Sequence, residues 1–199
     1  MEWRLFPEGT VPECATSEWY AERERAPHVD QRAHRPRLVM AAAMIGSVWQ
    51  DGFTVSDMGA GDGGLLQLMD GIPDDCKWGY DLQPSNIAGA SERGVNVELG
   101  DVLTGEVRWG DVVVVTEMLE HLVDPHGFVA SIPESVKYVV ASSPVNETDR
   151  NHYEFHLWAW DGDGYATLFS DAGWMLVDHR SVDPYQVLLA SRDYDGELR

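Results

Sequence analysis

The sequence contains a glycine-rich segment of the kind that lets a ligand approach the polypeptide backbone closely. Within residues 54–64, Gly59, Gly61 and Gly64 follow the spacing G-x-G-x-x-G, between a predicted strand and a predicted helix. Glycine accepts the backbone angles of a tight strand-to-helix turn and has no side chain to obstruct a ligand. Because the same spacing also occurs in turns that bind nothing, the polar residues nearby decide its interpretation.

Acidic residues lie in this segment and beyond it. Asp57 precedes the first glycine by two residues, and Asp62 lies within the motif. Two carboxylates there would repel the pyrophosphate of a dinucleotide but suit the ammonium and sulfonium groups of S-adenosylmethionine. Asp81 ends the next predicted strand, about 20 residues further on, where such folds place a carboxylate on a ribose. Asp101 follows the third predicted strand. This pattern favours S-adenosylmethionine as the ligand.

A second group of residues combines carboxylates with imidazoles. Glu117, Glu120 and His121 follow a predicted strand at positions i, i+3 and i+4, a spacing that places them on one side of a helical turn. His152 and His156 lie downstream, four residues apart. Such a set can bind a divalent metal, and a neutral imidazole can act as a general base near neutral pH. We expect His121 to be the first candidate base, then His152 and His156; the alternative is that Glu120 and His121 only support the loop.

Two other groups have both a functional and a structural interpretation. Tyr20 and two nearby arginines, Arg23 and Arg25, can form a lid in which an arginine binds a substrate anion, or a helix whose charges face water. The downstream aromatic residues can stack on a planar substrate or pack in the core; they are Trp158, Trp160 and Tyr165.

The segments that must position these residues alternate between strand and helix patterns. Strands are predicted at residues 53–58, 77–81, 95–99, 111–116, 136–142, 174–179 and 185–190. Helices are predicted at residues 17–25, 37–49, 63–69, 84–92, 125–132 and 164–172. His152 and His156 fall in a long connection between them.

This alternation predicts an α/β fold, with a doubly wound, seven-stranded and mostly parallel sheet and an antiparallel hairpin at its edge. Residues 112–115 are four consecutive valines, typical of a central strand that is buried on both faces. Helices between successive strands form right-handed crossovers, which make the strands parallel. Only a few residues around 182–184 join the last two strands, and so short a connection requires an antiparallel pair.

The charge of the chain is unevenly distributed. Its 199 residues include 14 Lys and Arg against 34 Asp and Glu, for a net charge of −20, and 44% are hydrophobic, as in globular proteins. Residues 1–37 carry a net charge of −1 and the remainder −19. A body this acidic repels phosphate backbones, which argues against non-specific nucleic-acid binding. We expect a helical lid segment at residues 1–37 and a ligand-binding domain at 38–199.

The sequence also favours a cytoplasmic protein without a membrane partner. Its first residues carry charge and proline where a secretory signal needs an apolar run. The longest apolar stretch, 12 residues from Leu38 to Trp49, is too short to span a bilayer. Two cysteines, Cys14 and Cys76, are too few for a disulfide scaffold, so we expect two reduced thiols.

In their order along the chain, these motifs resemble those of class I S-adenosylmethionine-dependent methyltransferases. The likeness rests on residues 57–63, Asp81, residues 100–101 and residues 112–122, and it covers residues 38–180. It implies a Rossmann-like methyltransferase fold. The cofactor-binding residues that it implies are Asp57, Gly59, Ala60, Gly61, Asp81, Leu82, Asp101, Val102 and Glu117.

The resemblance also implies roles for several of these residues. Gly59 and Gly61 would line the methionine part of the cofactor, and Asp81 would hold the ribose hydroxyls. Asp101 would lie near the adenine amino group, and Asp57 would hydrogen-bond the loop or reach the ammonium through water. Many members of the family have a Pro-Gly-Gly turn before the fifth strand, where this chain has Ile-Pro-Glu-Ser-Val at 132–136. The resemblance therefore says less about where the substrate binds than about the cofactor.

Two families share the pattern at residues 117–125. The string Glu-Met-Leu-Glu-His-Leu-Val-Asp-Pro resembles small-molecule O-methyltransferases of the ubiquinone-biosynthesis type. The pattern Glu-x-x-Glu-His with a later histidine also resembles metal-dependent methyltransferases of the 3′-terminal ribose of small RNAs, in which two glutamates and two histidines hold magnesium. That resemblance implies Mg²⁺ or Mn²⁺ on Glu117, Glu120, His121 and His152, with His156 as the alternative to His152.

The sequence therefore leads to three functional hypotheses. The first is methyl transfer from S-adenosylmethionine to a hydroxyl, or alternatively an amine, of a small or nucleoside-like acceptor. The second is the metal-dependent RNA ribose 2′-O-methyltransferase, which the acidic body argues against. The third is a catalytically silent cofactor-binding fold that serves as an interaction module. The glycine motif and the Glu–His residues argue against this third hypothesis.

Overall fold

A computed structural model of the chain describes residues 1–193, which contain nine strands, six α-helices and four short 3-10 helices. The strands are β1 (Glu2–Arg4), β2 (Val55–Met58), β3 (Lys77–Asp81), β4 (Val97–Leu99), β5 (Val112–Thr116), β6 (Tyr138–Pro144), β7 (Trp158–Trp160), β8 (Met175–Val182) and β9 (Tyr185–Ser191). The helices are α1 (Ser17–Ala21), α2 (Arg35–Val48), α3 (Gly64–Leu68), α4 (Pro84–Arg93), α5 (Pro125–Ser131) and α6 (Gly162–Asp171).

Seven of the strands form one sheet in the order β4-β3-β2-β5-β6-β9-β8. All neighbouring pairs from β4 to β6 are parallel, and β9 runs antiparallel to both β6 and β8. The predicted fold class is therefore confirmed, including the antiparallel hairpin of β8 and β9. The strand order reverses between β2 and β5, and the crevice beyond the carboxyl ends of the strands at such a point is where ligands bind in open α/β sheets.

The central strand β5 explains why the sheet is covered on both faces. Each of its four valines is fully buried. Val113 and Val115 pack with Phe128 in the hydrophobic cluster on one face, whereas Val112 and Val114 pack in the other cluster. A strand that is apolar on both sides is stabilised when helices cover both faces of its sheet, and β5 therefore lies at the centre of the fold.

Local signals set most of the helix boundaries. Proline lies in the first turn of α2, α4 and α5, where its missing N–H costs nothing. Asp124 caps α5 by accepting a hydrogen bond from the Gly127 N–H at 2.8 Å. The prediction that α2 begins at Arg37 was wrong by two residues, because Pro36 occupies the second position of the first turn rather than preceding the helix.

Two strands were missed by the sequence analysis. β1 pairs with β7 antiparallel, with Glu2 opposite Trp160, in a two-stranded sheet apart from the main one. The Leu5 N–H continues the ladder to the Leu157 carbonyl at 2.8 Å. Both strands have three residues, too few for an alternating pattern, and their pairing joins the amino-terminal segment to the connection that carries the histidines.

The predicted first helix is shorter than expected. It ends at Ala21 instead of Arg25, and Thr16 caps its start, because the Thr16 side chain accepts a hydrogen bond from the Trp19 N–H at 3.3 Å. Cys14 and Cys76 are free thiols. Among the helices of residues 1–193, none combines the length and apolar character that crossing a bilayer requires.

Candidate active site

A cleft of about 1030 Å³ opens at the carboxyl ends of the parallel strands, at the reversal of the strand order. Its walls come from the loops after β2, β3, β4, β5 and β6, and residues 15–34 pass over it from the amino-terminal side. A volume of this size exceeds the needs of one small ligand. The cleft can therefore hold a cofactor and a second molecule.

The glycine motif forms one wall of this cleft. Gly59 has φ +79° and Gly61 has φ +57°, angles that other residues rarely adopt. A Cβ atom on Gly59 would meet the Met118 side chain at 3.2 Å, whereas a Cβ atom on Gly61 would meet nothing within 4 Å. Gly61 thus leaves open space where the chain faces the cleft.

Asp81 is held in place by three hydrogen bonds. Its carboxylate accepts from the Gly61 N–H at 2.7 Å, the Gln83 N–H at 2.9 Å and the Asn86 side-chain amide at 3.0 Å. Only 9% of Asp81 is exposed, and burial raises its pKa although the hydrogen bonds lower it. The side chain lines the cleft and fixes the glycine loop against it.

The other acidic residues of the loop do not charge the cleft in the way that the sequence suggested. Asp62 is buried in ion pairs with Arg25, at 2.9 Å, and Arg93, at 2.7 Å. Asp57 lies behind the loop, beside a small void of about 40 Å³ that Ala60 also lines. Burial raises the pKa of Asp57 to about 7. The charge of Asp62 is thus balanced by arginine, and Asp57 keeps its proton to a higher pH than an ordinary aspartate does. The repulsion that we expected between these carboxylates and a pyrophosphate is therefore weak.

Asp101 connects the opposite wall to the amino-terminal segment. Its carboxylate accepts from the Ser17 hydroxyl at 3.1 Å, the Thr104 hydroxyl at 2.9 Å and the Leu103 N–H at 2.9 Å. Val102 and Leu82 line the same part of the cleft. The structure therefore brings the predicted residues after β3 and β4 to one side of the cleft, with the start of α1 above them.

Glu117 has a strained backbone where β5 ends. Its φ angle is +54°, in the left-handed region that glycine favours. Ser142 holds it there, because its carbonyl accepts from the Glu117 N–H and its hydroxyl donates to the Glu117 carboxylate, both at 3.0 Å. The Arg37 Nε lies 3.9 Å from the same carboxylate. Burial raises the pKa of Glu117, and the side chain lines the cleft.

Glu120, His121 and His156 form a cluster whose two histidines line the cleft. One ligand atom of each lies within 4.8 Å of the others. Glu120 is fully buried, and neither of its carboxylate oxygens has a hydrogen-bond partner within residues 1–193. Burial and the neighbouring Glu117 raise the pKa of Glu120 well above its ordinary value. An unpartnered buried carboxyl group is costly, so this one is suited to receive a proton or a cation.

Hydrogen bonds orient both histidines of the cluster. The His121 Nδ1 lies 3.2 Å from the Phe155 carbonyl, and the His156 Nδ1 lies 2.6 Å from the Glu147 carboxylate. Because these oxygens only accept, each Nδ1 carries the hydrogen and each Nε2 is left with a free lone pair. Such carbonyl and carboxylate partners are typical of metal-binding and catalytic histidines. The cluster therefore fits a divalent metal as well as proton transfer.

The structure changes the order of the candidate bases. Burial and the nearby His156 lower the pKa of His121 to about 3, which favours His156 over this imidazole as the proton acceptor. His152 is exposed, and its Nδ1 lies 3.1 Å from the Thr148 carbonyl. Of the four predicted metal ligands, Glu117 and His152 lie outside the cluster that residues 1–193 form, and His156 lies beside Glu120 and His121 instead.

Several residues of the site carried no recognisable signal in the sequence. Glu147 lies in a connection without regular structure, and only the folded chain brings it to His156. The aromatic side chains that line the cleft include Trp19 and Phe155, whose ring centroids are 4.9 Å apart. Trp160 and Tyr165 are instead fully buried in the core, which rules them out as a stacking surface for a substrate.

Comparison with known proteins finds similarity in structure only. No family model matches the chain, and no curated protein matches its sequence. The [4+2]-cyclase SpnF superposes with a TM-score of 0.66 at 14% identity, over 87% of this chain and 85% of that one. The N-methyltransferase NodS from Bradyrhizobium japonicum, in complex with S-adenosyl-L-homocysteine, has a TM-score of 0.64 at 15% identity, over 88% and 95%.

Human N-acetylserotonin methyltransferase in complex with SAM gives a TM-score of 0.60 at 16% identity. The match covers 79% of this chain and 51% of the human chain, so the chain spans about half the length of that protein. At these identities the similarity establishes the fold, which is that of class I S-adenosylmethionine-dependent methyltransferases. A cyclase with this fold also shows that the fold alone does not define the reaction.

Proposed function

We propose that the protein transfers a methyl group from S-adenosylmethionine to a hydroxyl group of a small or nucleoside-like acceptor. One observation carries this proposal: a single cleft is lined by the glycine loop and Asp81 and also by His121 and His156, the two histidines of the cluster with Glu120. The glycine loop and Asp81 suit a nucleoside cofactor, and the cluster suits the removal of a proton from an acceptor. An amine is the alternative acceptor, because the same histidines could accept the proton that an amine loses on methylation.

The wall residues fit the cofactor in chemistry and in space. S-adenosylmethionine supplies the methyl group as a sulfonium, and the open space at Gly61 suits the methionine part. Asp81 would accept hydrogen bonds from the ribose hydroxyls, since it already lies at the cleft with its carboxylate fixed. Asp101, Leu82 and Val102 would surround the adenine. Gly59 and Glu117 line the same cleft and complete the set that would contact the cofactor, whereas Asp57 and Ala60 lie behind the loop and would act through it.

His156 is the general base of this proposal. Its Nδ1–H donates to Glu147, so its free Nε2 can accept the proton that the acceptor hydroxyl loses as the oxygen–carbon bond forms. The positive charge that develops on the imidazole is then stabilised by the Glu147 carboxylate. His121 stays neutral and positions the acceptor instead. Alignment of acceptor and methyl group by the cleft walls supplies the rest of the rate enhancement.

A metal-dependent reaction is the second candidate, and the unpartnered Glu120 carboxyl favours it. Glu120, His121 and His156 would hold Mn²⁺ or Mg²⁺, with the imidazoles favouring Mn²⁺ of the two. A divalent ion there would lower the pKa of an acceptor hydroxyl. This chemistry is that of the RNA 3′-terminal ribose methyltransferases, which we keep as the alternative function.

Residues 1–37 would act as the lid of the cleft. Asp101 binds the start of α1 and Asp62 binds Arg25, so two contacts hold this segment over the cofactor wall. A lid excludes water during methyl transfer and must open for exchange of cofactor.

Calorimetric titration with S-adenosylhomocysteine tests the cofactor assignment. Gly61→Val places a side chain in the open space and should abolish binding that the parent protein shows. Gly94→Val is the matched control, since Gly94 also has a positive φ, +72°, and open space but lies at the end of α4. Equal affinity in the parent and in Gly61→Val would refute the assignment. Transfer of a labelled methyl group to a panel of acceptors then separates an enzyme from a silent interaction module.

A comparison of two variants, Glu120→Gln and Glu147→Gln, distinguishes the metal-dependent mechanism from the general-base mechanism. If a metal acts, Mn²⁺ should raise the melting temperature in proportion to the logarithm of its concentration, and a chelator should stop turnover. In that case Glu120→Gln should abolish both the rise in melting temperature and the turnover. If His156 acts as the base, a chelator has no effect, and Glu147→Gln lowers kcat and shifts the pH profile while S-adenosylhomocysteine binding stays intact.

A further inference from the structure

Arg23 is a positively charged side chain that faces the cleft without a carboxylate partner. Among the residues that line the cleft, it is the only arginine or lysine. Its guanidinium group makes no ion pair and no hydrogen bond within residues 1–193, whereas the neighbouring Arg25 is bound by Asp62 and Glu92. In a chain with a net charge of −20, an arginine left free at a cleft needs an explanation.

Two aromatic rings hold this guanidinium in place. It lies 4.0 Å from the centroid of the Trp19 ring and 5.3 Å from that of Phe155. The two rings lie 4.9 Å apart and line the same cleft. Cation–π contacts orient the guanidinium without neutralising it, so its N–H groups stay available to an anion. We call Trp19, Arg23 and Phe155 the Arg23 patch.

The Arg23 patch lies next to the proposed proton acceptor. The Phe155 carbonyl is the hydrogen-bond partner of His121, and the Tyr20 ring lies 6.1 Å from the His121 ring. Phe155 also immediately precedes His156 in the chain. The Arg23 carbonyl accepts from the Ser85 hydroxyl at 2.9 Å, so the patch lies between the start of α4, which follows β3, and the two histidines.

The charges of the cleft limit what can bind at this patch. Its other charged lining residues are all acidic: Asp81, Asp101, Glu117, Asp124 and Glu147. An anionic group is repelled by each of them and finds a counter-charge only at Arg23. A flat ring would find its stacking surface on Trp19 and Phe155.

We propose that the methyl acceptor is a planar molecule with a negatively charged group, that Arg23 binds this group, and that Trp19 and Phe155 stack on the ring. This inference rests on the proposed function, since it assigns the acceptor of that cleft. A carboxylate and a phosphate present the same chemistry to a guanidinium. Arg23 is thus the residue that determines acceptor specificity.

Paired probes that differ only in charge test the proposal. The pairs are 4-hydroxycinnamate with 4-hydroxycinnamamide, and adenosine 5′-monophosphate with adenosine. Calorimetry with and without saturating S-adenosylhomocysteine should show that the charged member of at least one pair binds about tenfold or more tightly than its neutral partner, as expected for a charge-assisted hydrogen bond. The pair that responds identifies the carboxylate or the phosphate.

Three variants identify the residues responsible. Arg23→Gln should abolish the preference for the charged probe, whereas Arg32→Gln, which changes an exposed arginine of the same segment, should keep it. Trp19→Leu should weaken both members of the pair that responds. The melting temperature and the affinity for S-adenosylhomocysteine should stay at parent values in Arg23→Gln, which shows that the fold and the cofactor site are intact.

Two outcomes would overturn the inference while leaving the proposed function standing. One is equal affinity for charged and neutral probes in a parent protein that binds S-adenosylhomocysteine. The other is loss of S-adenosylhomocysteine binding in Arg23→Gln, which would assign Arg23 to the carboxylate of the cofactor. If the parent does not bind S-adenosylhomocysteine at all, the proposed function fails, and the probe pairs without it still report whether Arg23 selects an anion.

Discussion

Asp57 is a carboxyl group that the fold keeps out of water, with 1% of its surface exposed and one oxygen without a hydrogen-bond partner within residues 1–193. Burial and Asp81 raise its pKa to about 7 from an ordinary value of 3.8. Between these values the native state holds a proton that the unfolded chain has lost, so the free energy of unfolding falls as the pH rises across this interval. Asp57→Asn should reduce that fall by up to roughly 4 kcal/mol.

Urea unfolding at about pH 4 and about pH 8 measures this difference. The exposed Asp51 offers the control, because Asp51→Asn should leave the pH dependence of the parent unchanged. An Asp57→Asn variant whose stability varies with pH as the parent's does would mean that Asp57 is ionised in the native state.

Asp81 combines two tasks, since it fixes the glycine loop and, by our proposal, binds the ribose. Charge-assisted hydrogen bonds of this kind contribute roughly 1.5–3 kcal/mol, so Asp81→Ala should weaken S-adenosylhomocysteine binding about 10- to 100-fold. Calorimetry compares it with Asp70→Ala, which changes an exposed aspartate. A loss of less than twofold would remove Asp81 from the cofactor site.

Among single residues, those that lie at the end of a strand or directly after it could be predicted from the sequence. Gly59, Gly61 and Asp81 each follow or end a parallel strand, and their neighbours in the chain determine their position. Glu147 and Phe155 lie in a connection without regular structure, so only tertiary contacts bring them to the histidines. Local spacing cannot reveal such contacts, and this is also why His152 was preferred over His156.

Among the elements, α1 is a short helix with residues that line the cleft. Its five residues, Ser17–Ala21, include none that are buried. An element with so little buried surface opens locally at low cost. We therefore expect its amide hydrogens to exchange quickly in the free protein and more slowly with S-adenosylhomocysteine, as a lid requires.

Hydrogen exchange followed by mass spectrometry measures this, with β5 as the internal reference that should exchange slowly in both states. Slow exchange of α1 in both states would make residues 1–37 part of the fixed structure and refute the lid. So would unfolding of the sheet after deletion of residues 1–26, although that deletion also removes β1 and should lower the melting temperature.

The elements of the main sheet were predictable because each carries its own pattern. The four valines of β5 and the proline at the start of α4 or α5 identify an element without reference to the rest of the chain. β1 and β7 lack such a pattern, and each becomes a strand only because the other supplies its hydrogen bonds. The short α1 similarly depends on its cap and on contacts with the cleft.

For the whole molecule, the net charge of −20 is the dominant electrostatic property. Mutual repulsion of like charges destabilises the folded state, and salt screens it within a Debye length of about 8 Å at physiological ionic strength. The free energy of unfolding should therefore rise as NaCl increases from about 10 to about 300 mM. Urea titrations measure this, and KCl should act equally. Stability that falls with salt would mean that ion pairs such as Arg93–Asp62 outweigh the repulsion.

The position of β9 has a consequence for how the chain is made. This strand is synthesised after the rest of the sheet, yet it lies between β6 and β8. From the end of β6 to the end of β9 a ribosome needs on the order of five seconds, and during this time β6 has a free hydrogen-bonding edge. A nascent chain with such an edge can pair with other chains, so the yield of folded protein should depend on chaperones that bind it during this interval.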